Sequence, residues 1–231
     1  MEIKGAVAIV SGGMDSVTLA YLMASEGYDL NILAFDYGQR HKKELGYAEH
    51  CAKRLEASFE VVDLSGVGRL LSGSALTDDI DVPHGHYAEK TMAVTVVPNR
   101  NAIMLSVAYG AAVARGAEVV AAAVHAGDHY VYPDCRPVFI EAFDRMERFA
   151  VEGFGDEKLH LHAPFVHKTK AEIVEVGTEL GVPYEETWSC YEGGEVHCGL
   201  CGTCTERKEA FELAGVPDPT AYQDRQAAAK G

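Results

Sequence analysis

Residues 5–16 read Gly5-Ala6-Val7-Ala8-Ile9-Val10-Ser11-Gly12-Gly13-Met14-Asp15-Ser16. The unbroken apolar run predicts a short strand buried on both faces. The glycine pair predicts a tight turn, and the pattern that follows predicts a helix over Asp15–Glu26. A strand, a glycine turn and a helix start form an anion cradle. The first N–H groups of the helix have no intrahelical partners, and the positive end of its dipole favours phosphate. The spacing is not the Gly-x-x-x-x-Gly-Lys-Ser/Thr of phosphoryl-transfer loops, nor the Gly-x-Gly-x-x-Gly of dinucleotide folds. The competing reading is a ligand-free turn into a capped helix. The hydroxyls of Ser11 and Ser16 on either side of the turn favour phosphate.

Outward from this loop, short apolar runs alternate with helical patterns. Strands are expected at Gly5–Val10, Leu30–Phe35, Phe59–Val62, Glu118–Val124 and Lys158–His162. Helices are expected at Asp15–Glu26, Lys43–Leu55, Asn101–Arg115, Pro137–Glu152 and Lys170–Leu180. This alternation predicts an α/β fold, a doubly wound parallel sheet with right-handed crossovers. Ligands on such sheets bind beyond the carboxyl ends of the strands. Those ends lead into Asp36-Tyr37-Gly38-Gln39-Arg40-His41 and into the polar stretch His125–Arg136. Residues Ser72–Met92 lack either periodicity and are expected to be a lid or disordered, with His84 and His86 solvated rather than metal-bound. Gln226–Gly231 is expected to fray.

The chain has 231 residues, 48% of them hydrophobic, and a formal net charge of −15. That charge argues against a broad nucleic-acid-binding surface and favours a small substrate. No segment is long and apolar enough to span a bilayer, and the N-terminus lacks a secretory pattern, so no membrane association and a cytoplasmic location are expected.

Six cysteines in such a chain point to metal ligands or free thiols rather than disulfides. Cys51 falls in a helical pattern. Four others, Cys190, Cys198, Cys201 and Cys204, crowd into fifteen residues, with glycines after Cys198 and Cys201. Four thiolates complete a tetrahedral structural zinc site. An iron–sulfur cluster, a redox-active pair and replacement of one cysteine by His197 are the alternatives. The expected organisation is a main domain over residues 1–184 and a small zinc-binding C-terminal subdomain over 185–231.

The Ser-Gly-Gly-x-Asp-Ser loop resembles that of the ATP pyrophosphatase (PP-loop) superfamily, adenine nucleotide alpha hydrolase-like folds that cleave ATP between the α and β phosphates. With Phe35-Asp36-Tyr37-Gly38-Gln39-Arg40-His41, Val97-Pro98, Arg100-Asn101, Tyr132-Pro133-Asp134-Cys135-Arg136, Lys170-Ala171-Glu172-Ile173, Ser189-Cys190-Tyr191 and the terminal cysteines, the chain resembles the 7-cyano-7-deazaguanine synthase family over nearly its whole length. The resemblance implies ATP-dependent conversion of 7-carboxy-7-deazaguanine and ammonia to the nitrile for queuosine biosynthesis, with Mg²⁺ and a homodimer. An acyl-adenylate and an amide are the intermediates.

Within that reading, Val10, Ser11, Gly12, Gly13, Met14, Asp15, Ser16 and Val17 are expected around pyrophosphate, with Asp15 binding magnesium or capping the helix. Asp36 and Tyr37 are expected near adenine or ribose. Arg100 and Lys170 are expected to neutralise phosphate, with a surface position the alternative for Arg100. Ser11, Asp15, Ser16, Arg100 and Lys170 form the expected catalytic set. Arg40, Asp128, Tyr132, Asp134, Cys135 and Arg136 are expected on the substrate, with Cys135 a packing or contact residue rather than a nucleophile. Two departures from the family pattern stand out. Asn99 replaces a glycine, which asparagine's tolerance of left-handed angles accommodates, and His125 and His129 occupy the fourth-strand loop. The alternative outcomes on the same fold are stopping at the 7-amide or passing the acyl group to another amine such as a protein's. A tRNA-modifying thiolase or ligase and a non-catalytic nucleotide sensor are the rival readings.

Overall fold

The computed structural model describes residues 4–40, 42–71, 73–78, 80–81 and 90–223. The expected His84 and His86, His41 and the tail Gln226–Gly231 lie outside the described residues. Five strands, β1 (Lys4–Ile9), β2 (Tyr28–Asp36), β3 (Ser58–Asp63), β4 (Val119–Ala121) and β5 (His160–His162), form one sheet in the order β3-β2-β1-β4-β5. Every pairing is parallel. The order reverses between β1 and β4, the switch point at which such sheets leave a crevice.

Side-chain alternation along the strands builds two cores. Ala6, Ala8, Ile32, Ala34, Val119 and Ala121 point to one face, which is covered by α1 (Met14–Ser25), α2 (Lys43–Arg54) and α6 (Lys170–Glu179). Val7, Leu33, Phe35 and Val120 point to the other, covered by α4 (Arg100–Arg115) and α5 (Pro137–Ala150). A one-turn helix, α3 (Ser65–Gly68), follows β3.

Beyond shifts of a few residues at other element ends and the unexpected α3, two elements differ from expectation. The fourth strand ends at Ala121 rather than Val124: the Ala122 N–H makes a last bond to the His162 carbonyl at 3.1 Å, and residues 123–125 then line the crevice. A seventh helix, α7 (Gly202–Leu213), starts within the cysteine cluster and carries its last member, Cys204. Its buried face is Cys204, Arg207, Ala210 and Phe211, a helical spacing with an arginine and a thiol where apolar residues signal a helix. Ala210 and Phe211 belong to the same core as β1 and α6. Arg207 is fully buried. It donates to the Tyr184 carbonyl at 2.9 Å, to Thr187 Oγ1 at 2.8 Å and to Ser189 Oγ at 3.2 Å, tying α7 to the chain that leads into the cysteines. No helix among the described residues is long and apolar enough to cross a membrane.

Asn99, the residue preceding α4, has φ 58° and ψ 19°. Its left-handed backbone is what a glycine would adopt without strain. Asn99→Gly is therefore expected to leave stability within about 0.5 kcal/mol, whereas Asn99→Ala loses about 1 kcal/mol or more in chemical denaturation.

Candidate active site

A cavity of about 260 Å³ opens beyond the carboxyl ends of β1 and β4. Its walls come from the Ser11–Ser16 loop, the end of β2 (Phe35, Tyr37), α2 (Glu44), α4 (Arg100, Asn101) and the stretch after β4 (His125, Asp128, Tyr132, Cys135). Lys170 of α6, together with Ser189, Tyr191 and Thr203 from the C-terminal region, completes it.

The loop is built for close approach. Gly12 has φ +87°, and a Cβ there would lie 2.3 Å from the Glu44 carbonyl, so glycine is required both by conformation and by the packing of α2. Gly13 differs: its φ is −75°, and a Cβ would meet nothing nearer than Ser11 Oγ at 3.4 Å. Nothing in the protein demands its bare face, which opens toward the cavity. The first helical bond of α1 runs from Val17 N–H to the Gly13 carbonyl at 3.0 Å, and no side chain caps the helix. The N–H groups of Met14, Asp15 and Ser16 precede that bond and remain for a ligand. Asp15 is thus in the first turn and is not the cap. The two serines shape the loop. Ser16 Oγ accepts from Ser11 N–H at 3.1 Å and donates to the Gly13 carbonyl at 3.1 Å, while Ser11 Oγ accepts from Gly13 N–H at 3.3 Å.

Beside the loop lies a charged cluster drawn from four elements. Lys170 Nζ is 3.2 Å from Asp15 Oδ2 and donates a short bond to Glu206 of α7. Burial alone would lower the Lys170 pKa, but Asp15, Glu206 and Asp128 outweigh it and hold the ammonium well above the ordinary lysine value. Burial raises Glu206 against the pull of Lys170 and His125. His125 is buried, and its Nδ1 accepts from Gly127 N–H at 3.1 Å. The ring proton therefore sits on Nε2, which lies 3.5 Å from Asp128 Oδ2 and 3.9 Å from Asp15 Oδ2. Asp15 Oδ1 is buried and accepts no hydrogen bond from the described residues. Three carboxylates around one lysine leave this corner negative, beside a loop shaped for an anion. A divalent cation with oxygen ligands fits both the surplus charge and the orphaned oxygen.

The opposite wall is aromatic. The Arg100 guanidinium lies 5.7 Å from the centre of the Tyr37 ring and 6.0 Å from that of Tyr132, and donates to Tyr37 Oη at 3.4 Å. Arg100 is a cavity residue and not a surface one. Glu44 lines the same wall and accepts from Gln39 Nε2 at 3.2 Å. Cys135 is buried, takes a contact from Asn101 Nδ2 at 3.1 Å, and has its thiol pushed up by burial and by nearby Asp128 and Asp134. A protonated thiol is a poor nucleophile. Cys135→Ala is expected to retain turnover within about threefold, whereas loss of a covalent nucleophile removes orders of magnitude; steady-state product formation checks this.

Six expected site residues lie outside the cavity walls: Gly12 is packed against α2, Val17 is buried in the core, and four others are engaged elsewhere. Asp134 Oδ2 accepts the Asn101 N–H at 3.0 Å, satisfying the start of α4. Arg136 Nε donates to the His129 carbonyl at 3.0 Å, and Arg40 donates to the Ile80 carbonyl at 2.8 Å. Asp36 accepts from Gly38 N–H and pairs with Lys42. Glu44 and His125 in the cavity wall, and Glu206 behind Lys170, are among the residues to which no role is given by the sequence. Glu206 hides two residues beyond a cysteine ligand in an unforeseen helix.

The sulfurs of Cys190, Cys198, Cys201 and Cys204 all lie within 4.8 Å of one another. A tetrahedron of thiolates about 2.3 Å from zinc has edges of about 3.8 Å, and the Cys198–Cys204 separation is 3.9 Å. The donor set fits such an ion. His197 is not part of it: its Nε2 accepts from Ser189 N–H at 3.0 Å, and its ring stacks on Trp188 at 4.3 Å.

The family model described as "Queuosine biosynthesis protein QueC" matches residues 5–215. The chain is 59% identical over 219 residues to 7-cyano-7-deazaguanine synthase 1 of Mesorhizobium japonicum, covering 95% of this chain and 94% of that protein. It is 60% identical over 218 residues to the 7-cyano-7-deazaguanine synthase of Brucella ovis, covering 94% and 93%. Among solved structures, NMN synthetase from Francisella tularensis superposes with a TM-score of 0.51 at 15% identity, over 99% of this chain and 82% of that one, a likeness of fold.

Proposed function

The chain belongs to the QueC family of queuosine biosynthesis proteins, and from that premise we propose that it uses ATP to convert 7-carboxy-7-deazaguanine and ammonia to 7-cyano-7-deazaguanine. The observation that carries the reading is the uncapped start of α1, which faces the same cavity as Arg100 and its tyrosines. Phosphate donors and a cationic, aromatic wall for a planar acid therefore meet in one space.

A carboxylate is a weak electrophile, so one of its oxygens must first attack the α-phosphate of ATP, releasing pyrophosphate and forming an acyl-adenylate. The N–H groups of Met14, Asp15 and Ser16, with Lys170, are aimed where negative charge grows on the departing pyrophosphate. Magnesium, when bound, would neutralise that charge, and Asp15, with its unpartnered oxygen, and Asp128 are the residues that would hold it. Ammonia then adds to the acyl carbon, and AMP leaves with one carboxylate oxygen to give the amide. A second ATP activates the amide oxygen in the same seat. Loss of the remaining N–H protons and of AMP yields the nitrile.

The four cysteines hold a structural zinc that anchors the C-terminal subdomain over residues 185–231. The nitrogen source is free ammonium, and the working unit is a cytoplasmic homodimer. Mass spectrometry after incubation with ATP, magnesium, ammonium and the deazapurine acid tests the product: the nitrile is one water lighter than the amide. An amide that accumulates without conversion indicates a variant that stops halfway, and no acid-dependent AMP excludes the reading.

A further inference from the structure

We propose that Glu44 is the base that takes protons from nitrogen during amide and nitrile formation; this deepens the proposed function and rests on it. Ammonium must lose a proton before it can attack, the adduct loses another when AMP departs, and the amide nitrogen loses the last two on the way to the nitrile. The first adenylation needs no base at all, because a carboxylate attacks as it stands. The reaction therefore divides into a step indifferent to a base and later steps that depend on one.

The cavity holds two kinds of carboxylate. Asp15 and Asp128 stand beside Lys170 at the phosphate end, with Glu206 behind it outside the cavity wall, and are the groups suited to Lys170 and a divalent cation. Glu44 stands apart, on the first turn of α2 in the wall shared with Arg100 and Tyr37. Gln39 holds one of its oxygens. The Gln39 amide is itself fixed, since its oxygen accepts from Tyr37 N–H at 2.9 Å and its nitrogen also donates to the Phe35 carbonyl at 3.0 Å. The backbone carbonyl of Glu44 abuts Gly12, so this turn and the phosphate loop keep a fixed separation.

The charged and titratable groups facing Glu44 are Arg100 from α4 and Tyr37 from the end of β2, with Tyr132 and Tyr191 beyond the arginine. The neighbouring lysines turn away, Lys42 to Asp36 and Lys43 to the carbonyls of Gly194 and Glu195. Burial pushes the Glu44 carboxyl up to about 7 despite Arg100 and the Gln39 bond. A base tuned near neutrality accepts a proton and passes it on within each turnover. If its purpose were only to hold Gln39, a glutamine would serve equally well.

That comparison is the test. In Glu44→Gln, acid-dependent ATP–pyrophosphate exchange measured without ammonia is expected to stay within about threefold of wild type, while amide and nitrile formation fall about 100-fold or more. With free ammonia held constant across pH, the wild-type nitrogen steps should rise about tenfold per unit below pH 7 and level above it, a dependence that exchange does not share. Nitrogen steps at the wild-type rate in the variant overturn the proposal, and so does a parallel fall of both activities, which marks Glu44 as structural. If Glu44→Gln does not fold, the wild-type profile decides alone, and a nitrogen step flat across pH 7 overturns it. Absence of acid-dependent exchange in the wild type instead defeats the function on which the proposal rests.

Discussion

Replacing Lys170 with methionine is expected to slow acid-dependent ATP–pyrophosphate exchange by about 100- to 1,000-fold, the loss that follows removal of one preorganised donor to a growing anion. Lys170 is the cation in direct contact with Asp15 of the phosphate loop, and three carboxylates keep it charged at every working pH. The same substitution strands Asp15 and Glu206 together without their shared partner, at a cost of about 3–5 kcal/mol in stability. Activity and stability separate in the double variant Lys170→Met with Glu206→Gln. Removing one of the stranded charges restores much of the melting temperature, whereas exchange stays low. Recovery of exchange along with stability would show that Lys170 serves the fold alone.

The second large effect concerns a site that holds no cavity carboxylate. Stripping the metal, or substituting Cys204→Ser, is expected to reduce exchange at least tenfold even though none of the four cysteines lines the cavity. The connection runs through α7. The helix begins at the cluster, carries Glu206 to Lys170, fixes Arg207 under Tyr184 and Thr187, and places Phe211 in the core beneath α6. A structural metal contributes folding free energy directly, about 10 kcal/mol or more in small zinc domains. Its removal should release α7 first. Elemental analysis should find one zinc per chain, and amide hydrogen exchange after chelation should show lost protection over residues 202–213. Full activity in metal-free protein would contradict this coupling.

What the sequence disclosed and what it concealed divide along physical lines. β1 and the glycine turn were legible because an apolar run and paired glycines admit few structures, and four closely spaced cysteines announce themselves by ligand chemistry. The left-handed Asn99 was legible only through the family resemblance, which puts a glycine there, at an angle that asparagine also tolerates. α7 was concealed because its buried face carries Cys204 and Arg207, whose burial depends on partners distant in sequence. The sorting of Asp128, Asp134 and Arg136 was likewise hidden. All three lie on the one stretch between β4 and α5, yet only Asp128 reaches the cavity; Asp134 satisfies the start of α4 and Arg136 braces the loop. Glu44 gave no signal either, because a glutamate in the first turn of a helix is ordinary until the wall it faces is known.

Central to the account is that the α-phosphate receives oxygen from the substrate acid at the Ser11–Ser16 loop. Supplying 7-carboxy-7-deazaguanine with both carboxylate oxygens labelled as ¹⁸O, and weighing the nucleotide products, follows those oxygens directly. The account predicts that both labels leave in AMP, one atom in each of the two AMP molecules formed per nitrile, with none in pyrophosphate. Label found in inorganic phosphate or water, with AMP unlabelled, would contradict it.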